Sequence, residues 1–124
     1  MLAAQQNREW IGISTASCGA SDLGKIDMQT DHFKLGTFPT QSGAMLQDAC
    51  LSYETHGELN ADKSNAIVYP TWYAGTHEDN RGAIGVGKAL DPERYFIIVP
   101  DMFCNGISSS PSNTKPPQDR GRFP

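Results

Sequence analysis

From Phe33 onward, apolar and polar positions follow patterns that predict a small sheet. Phe33, Leu35 and Phe38 fit a strand closed by Pro39, and Gln41-Ser42-Gly43 follows as a turn. In the next run, Met45 to Thr55, Ala49, Leu51 and Tyr53 share one face at period two, and Asp48, Cys50 and Ser52 take the other. The two runs read as an antiparallel hairpin. Residues 57–64 are polar and read as a connection. Ala66 to Tyr69 and Tyr95 to Val99 are nearly continuous apolar runs, each ended by a proline, as expected of strands buried on both faces in a parallel sheet.

Between those runs, Asp79 or Asn80 is placed to cap a helix running toward Leu90. Gly82, Gly85 and Gly87 weaken it by about 1 kcal/mol each, and Asp91-Pro92 ends it. The predicted order is hairpin, strand, helix, strand, with a right-handed crossover. After Asp101 the chain turns irregular: Asn105-Gly106 marks a turn, and Ser108 to Pro117 is a Ser- and Pro-rich loop. Taken alone, this periodicity allows any α/β sheet that begins with a hairpin.

Composition narrows the function classes. The 124 residues carry a net charge of −4 and 38% hydrophobic residues, enough for one modest core. With no Lys/Arg run, nucleic acid and anionic membranes are poor partners, and no apolar stretch approaches a membrane span. Residues 1–31 read as a flexible N-terminal extension, followed by a domain over residues 32–124. Without an apolar core, the extension is a poor signal peptide. Arg8 and Lys25 among small residues leave an organellar presequence open, against Glu9, Asp22 and Asp27.

The candidate chemistry is sparse outside one loop. Cys18, Cys50 and Cys104 are odd in number and widely spaced, which suits reduced thiols in a cytoplasmic protein better than a disulfide framework or a metal knuckle. His77-Glu78-Asp79-Asn80-Arg81 starts like a zinc-protease helix but has Arg where the second His is required, so no metal site is expected. Gly82 to Lys88 fits G-x-x-x-x-G-K. However, Ala89 stands where a phosphate loop needs a hydroxyl, and polar residues precede it where a strand is needed.

Pro70-Thr71-Trp72-Tyr73-Ala74-Gly75-Thr76-His77 is the stronger signal. It follows a strand predicted to be central, where backbone N–H groups of an irregular turn can converge on a developing oxyanion. Such donors are worth about 3–4 kcal/mol in acyl transfer. The competing reading is an aromatic-rich loop with Trp72 and Tyr73 packed as lids over the sheet.

Several separated motifs then point one way. Tyr53-Glu54-Thr55-His56-Gly57-Glu58-Leu59-Asn60, Asn65-Ala66, Asp91-Pro92-Glu93-Arg94-Tyr95-Phe96, Asn105-Gly106 and Ser109-Ser110-Pro111 occur in order. Together they resemble the N-terminal portion of the homoserine O-acetyltransferase family, serine acyltransferases of the α/β-hydrolase superfamily. The resemblance runs from about His32 to the end. It implies the opening of an α/β-hydrolase sheet, antiparallel first and then parallel, so residues 32–124 would form an incomplete domain. It also implies acetyl-CoA as co-substrate with no cofactor, a small-molecule hydroxyl acceptor, and a Ser acyl-enzyme. The Trp72 backbone N–H falls at the family's oxyanion-hole loop, with Tyr73 and Thr76 lining the same wall.

The aromatic loop departs from the His-Ala-Leu-Thr-Gly form of the homoserine enzymes and looks like a sister branch of acetyltransferases or hydrolases. Cys104 stands where that branch usually shows Gly, so its side chain would strain the turn if φ is positive. The sequence contains no G-x-S-x-G nucleophile elbow. Ser108, Ser109 and Ser110 lack its flanking glycines, and His77 and Asp101 precede the position where the nucleophile belongs. The chain by itself is therefore expected to be inactive, with the triad supplied by a missing C-terminal region or a complementary chain. An ester hydrolase of the same fold and a non-catalytic subunit of a split enzyme remain the alternatives.

Overall fold

The computed structural model describes residues 30–124. Apart from Thr30 and Asp31, the extension expected at the N-terminus lies outside the described residues, and Asp31 already opens the first strand. The sheet has four strands: β1 (Asp31–Pro39), β2 (Met45–His56), β3 (Ala66–Val68) and β4 (Phe96–Pro100), in spatial order β1-β2-β4-β3. β1 pairs antiparallel with β2, β2 antiparallel with β4, and β3 parallel with β4. A tight turn joins the hairpin, with Thr40 N–H donating to Ala44 O and Gly43 at φ +85°. The hairpin register slips at Gly36, and Asp48 opposite this region has φ +50°. Such a bulge re-aims every side chain that follows it.

β4 is the centre of the core: Ile97 and Val99 are fully buried and Phe96 nearly so. This agrees with its continuous apolar run, and β4 also has a strand on each edge. The alternation along β2 does not separate core from solvent as its residue types suggest. Cys50, Ser52 and Glu54, from the more polar face, are buried along with Tyr53, whereas Leu51 is only half-buried. The reason is tertiary. Glu54 lies against His77 and Arg81, while Leu51, Tyr53 and Thr55 share an open apolar groove of about 210 Å³ with Phe33, Val68 and Ile98.

Beyond the end of β4, the backbone of β2 finds partners in the irregular segment that follows. Asp101 N–H donates to Ser52 O, Ser109 N–H to Cys50 O, Ser52 N–H to Ser108 Oγ, and Cys50 N–H to Ser109 Oγ. The buried strand edge is thereby satisfied without a regular strand. The chain ends in a short 3₁₀ turn at Arg120–Arg122.

Three further expectations fail. β3, expected to be buried on both faces, is an edge strand with Ala66 and Val68 exposed. The helix expected from Asp79 or Asn80 to Leu90 is only α1 (His77–Asn80), followed by a 3₁₀ turn at Arg81–Ala83. Its N-cap is Thr76, whose N–H and hydroxyl both donate to Asp79 Oδ2, at 2.8 and 3.0 Å. Beyond Ala83 the glycines win. Gly85 N–H pairs with Leu90 O, Gly87 adopts φ +76°, and its N–H is taken by the Asp91 carboxylate. The expectation of three reduced thiols fails at Cys50, which is disulfide-bonded, whereas Cys104 is a free, exposed thiol.

Candidate functional site

The short strand β3 delivers the chain into a turn whose two ends are tied to one place. At the entry, Thr71 N–H donates to Pro100 O at 3.1 Å, and Met102 N–H donates to Thr71 Oγ1 at 3.1 Å. At the exit, Gly75 N–H donates to Trp72 O, and His77 N–H donates to Asp101 Oδ1 at 2.9 Å. Asn80 Nδ2 lies 3.3 Å from both Tyr69 O and Pro70 O and so holds the start of the turn from α1. Between the tied ends, the N–H groups of Trp72, Tyr73 and Ala74 have no hydrogen-bond partner among the described residues. Ala74 has φ +66°, and successive amides beside a left-handed residue form a concavity suited to an anion.

The three residues singled out from the sequence sit differently in this turn. The Trp72 side chain is 55% exposed and its indole folds back over Gly75, where a Cβ would stand 2.7 Å from the ring. Tyr73 is 93% exposed, so neither aromatic ring is a lid over the core. Thr76 is half-buried, and its hydroxyl is committed to Asp79 at the cap of α1.

Beneath the turn lies an ionic cluster that sequence spacing did not reveal. His77 Nδ1 is 2.7 Å from Asp101 Oδ2, and His77 Nε2 is 3.5 Å from both Glu54 Oε2 and Thr30 Oγ1. Arg81 grips Glu54 through Nη2 at 2.6 Å and Nε at 3.1 and 3.2 Å. His56 Nε2 lies 2.8 Å from Glu54 Oε1 without hydrogen-bonding geometry. The hydrogen bond to Asp101 raises the His77 pKa, burial works against it, and the Asp101 and Glu54 charges add to the rise. The result is a value above the ordinary 6.5. Burial pushes Glu54 up, but the Arg81 hydrogen bonds and charge, helped by His56 and His77, hold it below the ordinary 4.5.

This His–Asp pair is not arranged as a general base. His77 is only 5% exposed and both ring nitrogens face partners, so no lone pair is offered to a nucleophile outside. The three loop serines are likewise committed. Ser108 Oγ donates to Asp101 O, Ser110 Oγ donates to Ser108 O, and Ser109 Oγ accepts from Cys50 N–H. Gly82 to Lys88 forms turns rather than a phosphate cradle, with Lys88 Nζ donating to Gly82 O at 2.6 Å. Among the described residues, no group of three or more His, Cys, Asp or Glu is placed to hold a metal ion.

The chain is similar to known proteins, although no protein-family model matches it. Over 81 residues it is 49% identical to an ethyl acetate hydrolase of Pseudomonas veronii, covering 64% of this chain and 23% of that protein. Over 112 residues it is 37% identical to a homoserine O-succinyltransferase of Stutzerimonas stutzeri, covering 78% and 29%. An acetylester hydrolase structure from Corynebacterium glutamicum superposes with a TM-score of 0.74 at 42% identity, covering 77% of this chain and 28% of that one. A homoserine O-acetyltransferase structure from Bacillus anthracis gives 0.65 at 27% identity, covering 78% and 32%. The chain thus spans about a quarter of the length of the curated relatives it matches. Its sheet is the opening part of an α/β-hydrolase fold, and its kinship is with the homoserine O-acetyltransferase family of acyltransferases and esterases, over a stretch that fits that family's N-terminal portion.

Proposed function

We propose that this chain supplies the oxyanion-binding wall of a serine-dependent acyl-transferring enzyme that hydrolyses acetyl esters. The observation that carries this reading is the turn at Trp72–Ala74, whose amides are unpaired while its flanks are bonded at both ends. A serine Oγ would add to the ester carbonyl, and the carbonyl oxygen would take up the negative charge beside the Trp72 N–H. Collapse of that adduct expels the alcohol and leaves an acetyl-enzyme, and water then releases acetate. The serine, with its Asp and His partners, would come from a longer form of the chain or from a complementary one. Tyr73, exposed beside the turn, is available to the acyl or alcohol group of the substrate. Water as acceptor is favoured because the relatives at 48–49% identity are named as an esterase and an ethyl acetate hydrolase, whereas the homoserine acyltransferases stand at 34–42%.

A second reading follows from coverage. Homoserine acyltransferases align with up to 79% of the chain, against 64% for the two esterases. On that reading the acyl donor would be acetyl-CoA and the acceptor a small-molecule hydroxyl. To separate the two, the chain can be joined to the remainder of the Pseudomonas veronii hydrolase in place of that enzyme's matching segment. We expect hydrolysis of ethyl acetate and 4-nitrophenyl acetate. Replacing Trp72 by Pro removes the N–H and is expected to lower kcat by about 10²–10³-fold, while Trp72→Ala keeps the N–H and most of the rate. Full activity in the proline variant would remove Trp72 from the oxyanion hole. Acetylation of homoserine from acetyl-CoA outpacing hydrolysis would favour the transferase.

A further inference from the structure

We infer that Asp101 is a positioning residue: through His77 and Asn105 it fixes the shape of the turn between Thr71 and His77 from which the oxyanion donors project. This rests on the esterase reading for its catalytic consequence, though not for its structural one.

The argument starts from where the turn is anchored. Its entry is bonded to Pro100 O and to the N–H of Met102, the residues on either side of Asp101. Its exit is bonded to Asp101 itself, since Oδ1 accepts the His77 N–H at 2.9 Å and Oδ2 lies 2.7 Å from His77 Nδ1. A third donor, Asn105 Nδ2, lies 3.2 Å from Asp101 Oδ1 and 3.3 Å from Gly75 O, within reach of both the carboxylate and the turn. Both ends of a seven-residue turn are therefore set against residues 100–102. The carboxylate fixes the distance between them, while the three amides in the middle touch nothing that would hold them.

A carboxylate at 0% exposure is costly unless its charge is matched. The groups facing His77 are Asp101, Glu54 and Arg81, with the Thr30 hydroxyl beside Nε2, and His56 touches Glu54 from the far side. Glu54 and Asp101 carry two negative charges and Arg81 one positive charge, so a protonated His77 neutralises the group. When His77 loses its proton, the Nε2 lone pair faces Glu54 and one buried negative charge is left uncompensated. The turn is thus held most firmly while His77 is charged, a state that its raised pKa extends toward neutral pH.

The test compares Asp101→Ala with Asp101→Asn, which keeps an oxygen for the His77 N–H and for Asn105. In the joined hydrolase, Asp101→Ala should lower kcat by about 10²-fold with KM changed less than threefold, as when an interaction made only in the transition state is lost. Asp101→Asn should recover to within tenfold of the parent, with its alkaline limb displaced. An unchanged kcat, or a loss carried entirely by KM, would overturn the proposal.

Amide hydrogen exchange on the full 124-residue chain, followed by mass spectrometry, reads the turn without any activity. Asp101→Ala should accelerate exchange across residues 70–77 at least tenfold more than across β2 and β4. Uniform acceleration over the whole chain would mean a merely structural carboxylate and would sink the idea. If exchange behaves as expected but the joined parent protein cleaves no ester, the esterase reading fails and the positioning role stands.

Discussion

Gly57 stands so close to Tyr95 that a Cβ at this position would lie 2.2 Å from the Tyr95 carbonyl oxygen and 2.5 Å from that of Pro92. Its φ of +79° adds a second demand for glycine. Two sequence motifs, residues 53–60 and 91–96, are therefore the two sides of one contact between backbones. The 91–95 turn is itself stiff, because Asp91 accepts the N–H groups of Gly87 and Glu93 through its carboxylate and those of Arg94 and Tyr95 through its carbonyl. Replacement of Gly57 by Ala is expected to cost more than about 3 kcal/mol, from strain and overpacking together. Urea unfolding would measure it, and a loss below about 1 kcal/mol would show that the turn yields.

The buried ionic cluster predicts stability limits on both sides of neutrality. Glu54 has a folded pKa below its ordinary 4.5, so its contribution is present above that value and is lost as pH falls through the folded one. His77 has a folded pKa above 6.5, so its contribution is complete below 6.5 and is lost as pH rises through the folded value. Stability should therefore peak between these limits. His77→Gln should flatten the alkaline limb. Arg81→Met should cost about 2–3 kcal/mol and move the acid limb to higher pH, because burial of Glu54 is then unopposed by its nearest cation. Unfolding titrations across pH 3–10 would expose either failure.

Cys104 occupies the left-handed region at φ +72° while its N–H is bonded to Ser109 O. A non-glycine residue there carries strain of about 1–3 kcal/mol, part of which glycine would return as greater freedom in the unfolded chain. Cys104→Gly is expected to stabilise by about 1 kcal/mol in thermal unfolding. Cys104→Ala, which keeps the Cβ, should not stabilise. Equal effects of the two substitutions would assign the gain to the thiol rather than to the backbone.

Gly75 poses a different problem, since its φ is not positive and what a Cβ would meet is the Trp72 indole at 2.7–2.9 Å. That ring is more than half exposed and is able to swing away. Gly75→Ala should therefore cost less than about 1 kcal/mol while altering the Trp72 fluorescence, read in a Trp10→Phe background. An unaltered spectrum would mean that the turn, and not the ring, has moved.

Much of the sheet was legible in the sequence because its signals are local. Pro39 closes β1, the apolar run ending at Pro100 is β4, and Gly43 makes the hairpin turn. The strain at Cys104 was likewise foreseeable from a side chain at a glycine position, once the sign of φ was known. The turn after β3 was legible as a polar, glycine-bearing segment at a strand end, but its unpaired amides were not, because they depend on what the neighbouring carbonyls and carboxylates accept.

The sequence by itself determined the strands in their order along the chain, the antiparallel hairpin, and the kinship carried by motifs spread over residues 53–111. Periodicity and turn residues act within a few positions, and family motifs are read in order along the chain. Only the tertiary structure decided that Glu54, His77, Arg81 and Asp101 meet, since they come from β2, α1, the turn after it and the end of β4, up to 47 positions apart. It also decided that β2 is buried on both faces, through Ala49 and Tyr53 on one and Cys50, Ser52 and Glu54 on the other, where the ionic cluster covers Glu54. The expected helix failed for the same kind of reason: the Asp91 carboxylate takes the Gly87 N–H, and glycine has too little helical preference to resist.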